Sequence, residues 1–278
     1  MQKLRAIYII SRPINFIITF IAVIIAGAIS ASYTKLDSNI VLAAFAMAFA
    51  CSAGNIINDI YDLEIDKINK PERMLPLQLL SKTNAKLLYF IFFTAALILG
   101  GLNGISSFFF ILFIELIIFL YSYTLKQIVL IGNLTVAVLT ASALIFGALI
   151  AGNLTAGVIP SIFALLVNFI RELIKDMEDI EGDSFHSIKT FPIKYGIINT
   201  SRLIYGLIII VIIISILPFY LNIYKVEYFI IIMVIVNPIF VYIIKLLQKS
   251  KDQKSFNKAS SLIKLNMVFG LIAILFGV

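Results

Sequence analysis

The sequence predicts an all-α integral membrane bundle of nine transmembrane helices, and three observations lead there. The 278 residues are 61% hydrophobic and 13% charged, with a mean hydropathy of +1.06. Soluble domains carry about 25% charged residues, so a water-soluble enzyme is excluded. A disordered chain is excluded too, because it needs charge to stay solvated. The apolar residues also fall in continuous runs near the length of one helical span, about 20 residues. They do not alternate as barrel strands do. Finally, the basic residues gather on alternate connections between the runs, as cytoplasmic loops require.

The first run, Ile14 to about Ser32, follows Lys3, Arg5 and Arg12. It is too long for a signal-peptide core and has no convincing cleavage site, so it is expected to stay as the first span. Further runs follow at about 39–58, 85–102, 105–122, 130–151, 155–174, 202–222, 227–247 and 261–278. Turn signals separate them at Leu36-Asp37-Ser38, Leu102-Asn103-Gly104, Ala151-Gly152-Asn153 and Leu221-Asn222. With the N-terminus inside, all of the 22 basic residues except Lys35 and Lys225 fall on the cytoplasmic side. That asymmetry supports nine spans with the C-terminus outside. The whole chain, 1–278, is read as one transmembrane domain. Two long cytoplasmic loops, about 59–84 and 176–201, are candidates for function, since long loops in a compact protein are usually functional. The basic stretch Lys245 to Lys264 reads as a topology signal touching anionic lipid. Phe108-Phe109-Phe110 reads first as lipid-facing packing and only second as a path for a tail.

The net charge of +7 then belongs to membrane topology rather than to nucleic-acid binding. Cys51 is the only cysteine, which excludes an intrachain disulfide and a thiolate metal cluster. His186 is the only histidine, which argues against a His-based metal site or a catalytic triad.

The 15 acidic residues cluster: five lie between Asp59 and Glu72, and six between Glu172 and Asp183. Asp59, Asp62 and Asp66 form D-x2-D-x3-D, and Asp176, Asp179 and Asp183 repeat it 117 residues later. Such spacing places three carboxylates on one helix face. Asn58, Asp62 and Asp66 add an i, i+4, i+8 stripe. Like charges so placed weaken a helix by a few tenths of a kcal/mol per pair, which a bound cation would offset. Oxygen ligands without His or Cys point to Mg²⁺ rather than Zn²⁺. Magnesium is usually held by one or two carboxylates together with substrate phosphate. Lys67, Lys70, Arg73, Arg171, Lys175 and Lys189 flank the acids, and alternating sign suits a metal–diphosphate complex. The competing reading is a solvated, salt-bridged loop, which two identical clusters on one side disfavour.

These residues resemble the UbiA superfamily of intramembrane prenyltransferases over nearly the whole chain. The resemblance is carried by Asn55-Ile-Ile-Asn58-Asp59-Ile-Tyr-Asp62-Leu-Glu-Ile-Asp66, by the Pro71-Glu-Arg73 run, and by Arg171-Glu-Leu-Ile-Lys175-Asp176-Met-Glu-Asp179-Ile-Glu-Gly182-Asp183. Ser11-Arg12-Pro13-Ile-Asn15, Tyr121-Ser-Tyr123-Thr-Leu-Lys126 and Lys189-Thr190-Phe-Pro192 support it. It implies nine helices around a cavity open to lipid and Mg²⁺-dependent transfer from a prenyl diphosphate. It also implies metal or catalytic roles for Asn58, Asp59, Asp62, Asp66, Asp176, Asp179 and Asp183. Arg12, Asn15, Asn55, Asn58, Arg73, Tyr123, Lys126, Arg171, Lys175 and Lys189 fall to substrate, with Tyr123 and Lys126 as the family's Y-x-x-K pair. The second motif and the N-K-P-E-R run resemble the archaeal branch that builds ether lipids. There the implied reaction joins a geranylgeranyl group, from its diphosphate, to the hydroxyl of geranylgeranylglyceryl phosphate. After Arg73 that branch reads P-x-P-S-G, where this chain has Met74-Leu75-Pro76-Leu77-Gln78, a loop expected to cap the site.

On this reading two Mg²⁺ ions and the bases neutralise the leaving diphosphate, and apolar walls exclude water from an allylic cation. Arg12 is the chosen contact for the acceptor's phosphate. Glu115, the one acid inside a span, is a candidate proton acceptor or a partner for Lys126. No nucleic acid or obligate protein partner is implied. An aromatic quinone precursor or haem is the alternative acceptor. A cation transporter is the rival class, but it would hold its acids near the midplane. A CDP-alcohol transferase would keep its aspartates in one contiguous motif, which the Leu-Glu-Ile-Asp after Asp62 breaks.

Overall fold

The computed structural model describes residues 2–31, 37–185 and 189–278. Among them, nine helical segments are long and apolar enough to cross a membrane: Pro13–Ser30, Ser38–Tyr61, Lys82–Leu102, Ile105–Tyr123, Ile131–Ile150, Leu154–Glu178, Phe191–Tyr220, Val226–Lys249 and Gln253–Gly277. The expectations for Lys35, Leu36 and His186 lie outside the described residues.

In chain order the elements are α1 (Gln2–Ile10), α2 (Pro13–Ser30), α3 (Ser38–Tyr61), α4 (Leu63–Asn69), α5 (Lys82–Leu102), α6 (Ile105–Tyr123) and α7 (Ile131–Ile150). Then come α8 (Leu154–Glu178), α9 (Ile180–Phe185), α10 (Phe191–Ile214), α11 (Leu217–Tyr220), α12 (Val226–Ile231), a π-helical turn at Ile232–Val236, α13 (Asn237–Lys249) and α14 (Gln253–Gly277). Local chemistry marks the helix starts. The Asp37, Ser81 and Asp252 side chains accept from the Asn39, Asn84 and Ser255 amides, satisfying orphan donors of the first turn. Pro13 and Pro192 occupy first-turn positions, where no N–H is missed.

The helices run longer than the apolar runs. The seventh membrane segment begins at Phe191 rather than 202, and the ninth at Gln253 rather than 261. Hydropathy marks only the lipid-buried part of a helix; polar turns beyond it remain helical through their own backbone bonds. For the same reason the two expected loops are largely helical. Residues 59–84 hold the end of α3, all of α4 and an irregular stretch from Lys70 to Ser81 before α5. Residues 176–201 hold α9 and the start of α10. The basic stretch 245–264 is α13 and α14 joined at Ser250–Asp252.

The bundle has two apolar halves. One gathers around α3, α5 and α6, with Met47, Ile56, Ile111 and Phe146 buried together. The other gathers around α8, α10 and α12–α14, with Ile170, Leu173, Ile204, Phe240 and Ile263 buried. Between them α2 packs against both α3 and α7, and α7 against α8. Small residues permit that closeness: a Cβ on Gly147 would meet the Val23 carbonyl at 2.4 Å. In lipid such close backbone approach is a main source of helix–helix attraction. Phe110 stacks on Phe146 at 4.7 Å and Phe109 is exposed, so the Phe108–Phe110 run serves packing.

Candidate active site

Each aspartate cluster sits on a bend. α3 ends at Asp62 (φ −87°, ψ 3°), where α4 begins. α8 ends at Asp179 (φ −96°, ψ 8°), immediately before α9. The ladder continues through both bends. Asp62 N–H donates to Asn58 O and Asp66 N–H to Asp62 O, both at 2.8 Å. Asp179 N–H donates to Lys175 O at 2.9 Å and Asp183 N–H to Asp179 O at 3.1 Å. The expected straight carboxylate face is therefore two matching elbows, each hinged at its middle aspartate.

The elbows meet. Lys70 donates to Asp179 at 2.8 Å. The Asn69 carbonyl accepts from the Gly182 amide at 2.9 Å, and its NH₂ donates to Asp183 at 3.4 Å. A side chain at 182 would close this junction, since a Cβ there would lie 2.2 Å from Asn69 Oδ1.

Within the first elbow every aspartate has a base. Asp59 pairs with Arg12 and, at 3.1 Å, with Arg73. Asp66 pairs with Arg73 at 2.5 Å, and Asp62 with Lys126. Asp59 and Asp66 are buried, so removing a base would strand a buried charge. Burial pushes the Asp66 carboxyl up to about 6; Arg73 opposes the rise, and the Asp62 charge adds to it. In the second elbow Asp176 accepts from the neutral Asn133 amide at 2.8 Å. Burial, reinforced by the Asp179 and Asp62 charges, lifts Asp183 to about 7.

Below the elbows lies a cavity of about 630 Å³, within the roughly 300–1,000 Å³ usual for ligand pockets. Its walls are mainly apolar, among them Ile114, Ile118, Leu139, Leu144, Phe163 and Val167. Of the residues expected to serve substrate, Arg12, Asn15, Asn55, Asn58, Arg73, Arg171 and Lys175 line it. Lys126 and Lys189 line a smaller recess with Asn133, Asp176 and Thr190. Arg12 also donates to Asn55 at 3.1 Å, so it is engaged by the first elbow. Arg171 and Lys175 share Glu172, at 3.0 and 2.9 Å.

Three expectations need correction. Tyr123 is 60% exposed and stacks on Phe119; it lines neither cavity. Tyr121 lines both, because Ile114, Ile118 and Tyr121 follow the i, i+4, i+7 stripe of one helix face. Position 123 lies about 200° round from 121. Second, residues 74–78 are a buttress rather than a cap: Leu75 is buried in the apolar half around α3, and of this turn Arg73 alone lines the cavity. Third, Lys126 pairs with Asp62 and not with Glu115. Both carboxylate oxygens of Glu115 are buried without a hydrogen-bond partner among the described residues.

The sequence reading placed Lys70 beside the acids and Glu172 in the second cluster, but it gave no site role to Asn69, Asn133 or Lys264. Lys70 and Asn69 precede the arginine of a motif already identified, so their nearness was readable. Lys264 carried no signal beyond its place in the last helix.

The donor set suits a hard cation. It is all oxygen, and Asn58 Oδ1 is buried and has no partner among the described residues, while its NH₂ donates to Asp62 at 2.7 Å. Among the described residues no three acidic side chains converge as a ready-made cage. That fits an ion taken with one or two carboxylates and a substrate phosphate.

Comparisons with known proteins point to one family. The profile of the UbiA prenyltransferase family matches residues 17–268. A digeranylgeranylglyceryl phosphate synthase from Methanosphaera stadtmanae is 37% identical over 268 residues, covering 96% of this chain and 97% of its own. A solved structure described as giving structural and mechanistic insights into digeranylgeranylglyceryl phosphate synthase in membranes has a TM-score of 0.78. It is 33% identical and covers 100% of this chain and 99% of its own. A UbiA homolog from Archaeoglobus fulgidus, bound to GPP and Mg²⁺, shares the fold at a TM-score of 0.70 and 17% identity, covering 99% of each chain.

Proposed function

This chain belongs to the UbiA prenyltransferase family and is a multi-pass membrane prenyltransferase, and we propose that it joins two prenylated lipids through an ether bond. The donor is geranylgeranyl diphosphate and the acceptor hydroxyl belongs to geranylgeranylglyceryl phosphate. The products are digeranylgeranylglyceryl phosphate, diphosphate and a proton. The observation that carries this reading is the pair of joined aspartate elbows across the mouth of one apolar cavity. When bound, Mg²⁺, as two ions, would supply charge neutralisation for the leaving diphosphate. Asn58, Asp62 and Asp66 on one side and Asp176, Asp179 and Asp183 on the other would hold it.

The chain's own residues do the rest. Lys70 and Arg73 lie between the carboxylates and the cavity, where they meet developing negative charge on the diphosphate oxygens. Lys126, beside Asp62, serves the same charge from the smaller recess. The apolar walls hold the prenyl tail, each buried CH₂ contributing about 0.8 kcal/mol, and keep water from the allylic cation. The acceptor oxygen attacks C1 as the C1–O bond breaks, with the bond's electron pair leaving on the diphosphate. The elbows lie at the same end of the bundle as Arg12 and most of the basic residues, which supports a cytoplasmic mouth. The entire chain, 1–278, acts as one domain.

The test is product analysis. Purified protein in lipid, given geranylgeranyl diphosphate and Mg²⁺, is offered geranylgeranylglyceryl phosphate or 4-hydroxybenzoate. The expected outcome is an ether lipid from the first and no prenylated aromatic from the second. The reverse would move the chain to another branch of the family.

A further inference from the structure

Six basic side chains line the main cavity: Arg12, Lys70, Arg73, Arg171, Lys175 and Lys264. Among the described residues five of them form ion pairs with acids. Lys264 forms none. Half-buried on α14, it donates to the neutral Asn15 carbonyl at 3.2 Å. It lies near enough to Arg171, Arg12 and Lys175 to be acted on by their charges. Arg12 is matched by Asp59, and one carboxylate, Glu172, serves both Arg171 and Lys175. Glu178 lines the same cavity and is reached by the Lys175 and Arg171 charges, so the group formed by Arg171, Lys175, Lys264, Glu172 and Glu178 carries one positive charge in excess. Glu178, six residues further along α8, accepts from Asn257 at 3.3 Å. Among the described residues Arg171 also keeps a buried Nε with no hydrogen-bond partner, a donor in need of an acceptor. A cationic group with spare donors on an apolar wall is short of an anion, and hydrogen bonds to a charged oxygen are the strong ones.

We propose that Lys264 and Arg171, with Asn15 beside them, form a second anion seat that binds the phosphate monoester of the acceptor, separate from the diphosphate seat at the elbows. A phosphate monoester carries about −1.5 to −2 charges near neutral pH, opposite in sign to the local excess. The spacing agrees with the chemistry. The five residue steps from Arg171 to Asp176 climb about 7.5 Å of helix, a span commensurate with glyceryl phosphate lying between the two seats. Its hydroxyl would then point toward the elbows while its prenyl tail follows the apolar wall. Arg12, expected from the sequence to take this role, is held by the first elbow instead. The inference rests on the proposed acceptor, and its test separates the two.

Binding of radiolabelled geranylgeranylglyceryl phosphate and of dephosphorylated geranylgeranylglycerol is measured by equilibrium dialysis without donor or Mg²⁺, on wild type, Lys264→Gln and Lys264→Arg. The glutamine variant should bind the phosphorylated lipid about tenfold more weakly, the scale of one lost charge-assisted hydrogen bond. It should bind the dephosphorylated lipid as wild type does, and arginine should restore most of the loss. In turnover, Lys264→Gln should raise KM for the acceptor about tenfold and leave KM for geranylgeranyl diphosphate within about twofold. Equal binding by all three proteins would overturn the seat, and so would a loss extending equally to the dephosphorylated lipid or to the donor. If wild type binds the phosphorylated lipid in a Lys264-dependent way yet forms no ether, the seat stands and the transfer reading falls. If ether forms while Lys264→Gln binds normally, the reverse holds.

Discussion

The two elbows share a spacing and a bend but are held in different ways. In the first, arginine and lysine reach the aspartates: Arg12 and Arg73 at Asp59, Arg73 at Asp66, Lys126 at Asp62. In the second, amides do much of the work, with Asn133 at Asp176 and Asn69 at Asp183. Among the described residues Lys70 at Asp179 is the one base there, and it comes from the first elbow's own connection. A carboxylate held by a base keeps its charge through that pairing. Burial raises both Asp66, to about 6, and Asp183, to about 7; Arg73 opposes the first rise, and Lys70 and the Asn69 amide oppose the second. Identical motifs can thus differ in role: the first elbow is a charge-balanced anchor, the second a site with acidic groups left less compensated.

The largest effect tests what the elbows have in common. Asp62→Ala and Asp179→Ala remove equivalent hinge residues, and each should cut ether formation by about 10²–10³-fold or more, the scale for losing one element of electrostatic stabilisation. Near-wild-type turnover in one of them would mean that a single elbow suffices. A middling effect tests how they differ. Arg73→Ala leaves Asp59 with Arg12 alone and Asp66 without a base, and should cost about 3–5 kcal/mol of stability. Asn69→Ala loses neutral hydrogen bonds and should cost only about 1–2 kcal/mol. Thermal unfolding in detergent ranks the two, and equal losses would erase the distinction. The smallest effect concerns the turn that delivers Arg73. Gln78 there has φ 57°, a left-handed backbone that costs a side-chain-bearing residue about 1–2 kcal/mol. Gln78→Gly should raise the unfolding temperature by an amount worth about 1 kcal/mol without changing turnover, since Gln78 is exposed and lines no part of the cavity.

Gln78 also shows how much was legible in the sequence. Its place in the P-x-P-S-G alignment marked this chain's departure, and the departure fell where the backbone turns left-handed. The nine spans were legible because lipid demands long apolar runs, and the repeated aspartates because their spacing is periodic. The bends at Asp62 and Asp179 were not. No proline or glycine marks them, and the backbone bonds on either side persist. Tyr121 was within reach through the period of α6, and the likeness of Tyr123 to a motif drew attention from it. Lys264 was counted as a topology charge because a lone lysine in a helix looks the same whether it faces lipid heads or a cavity. Only the neighbours that fold around it, from α2 and α8, tell the two apart.

The π-helical turn at Ile232–Val236 has a consequence for the shape of the guest. Tyr228, Ile232, Val236 and Phe240 all face the cavity, although steps of four residues drift about 40° apiece around an ordinary α-helix. One widened turn re-phases the series, so the four side chains line up as a straight greasy rail roughly 18 Å long. A rail of that kind favours a hydrocarbon laid out at full stretch over one that is coiled or forked. Deleting a single residue within the turn should swing Phe240 off that side of the helix.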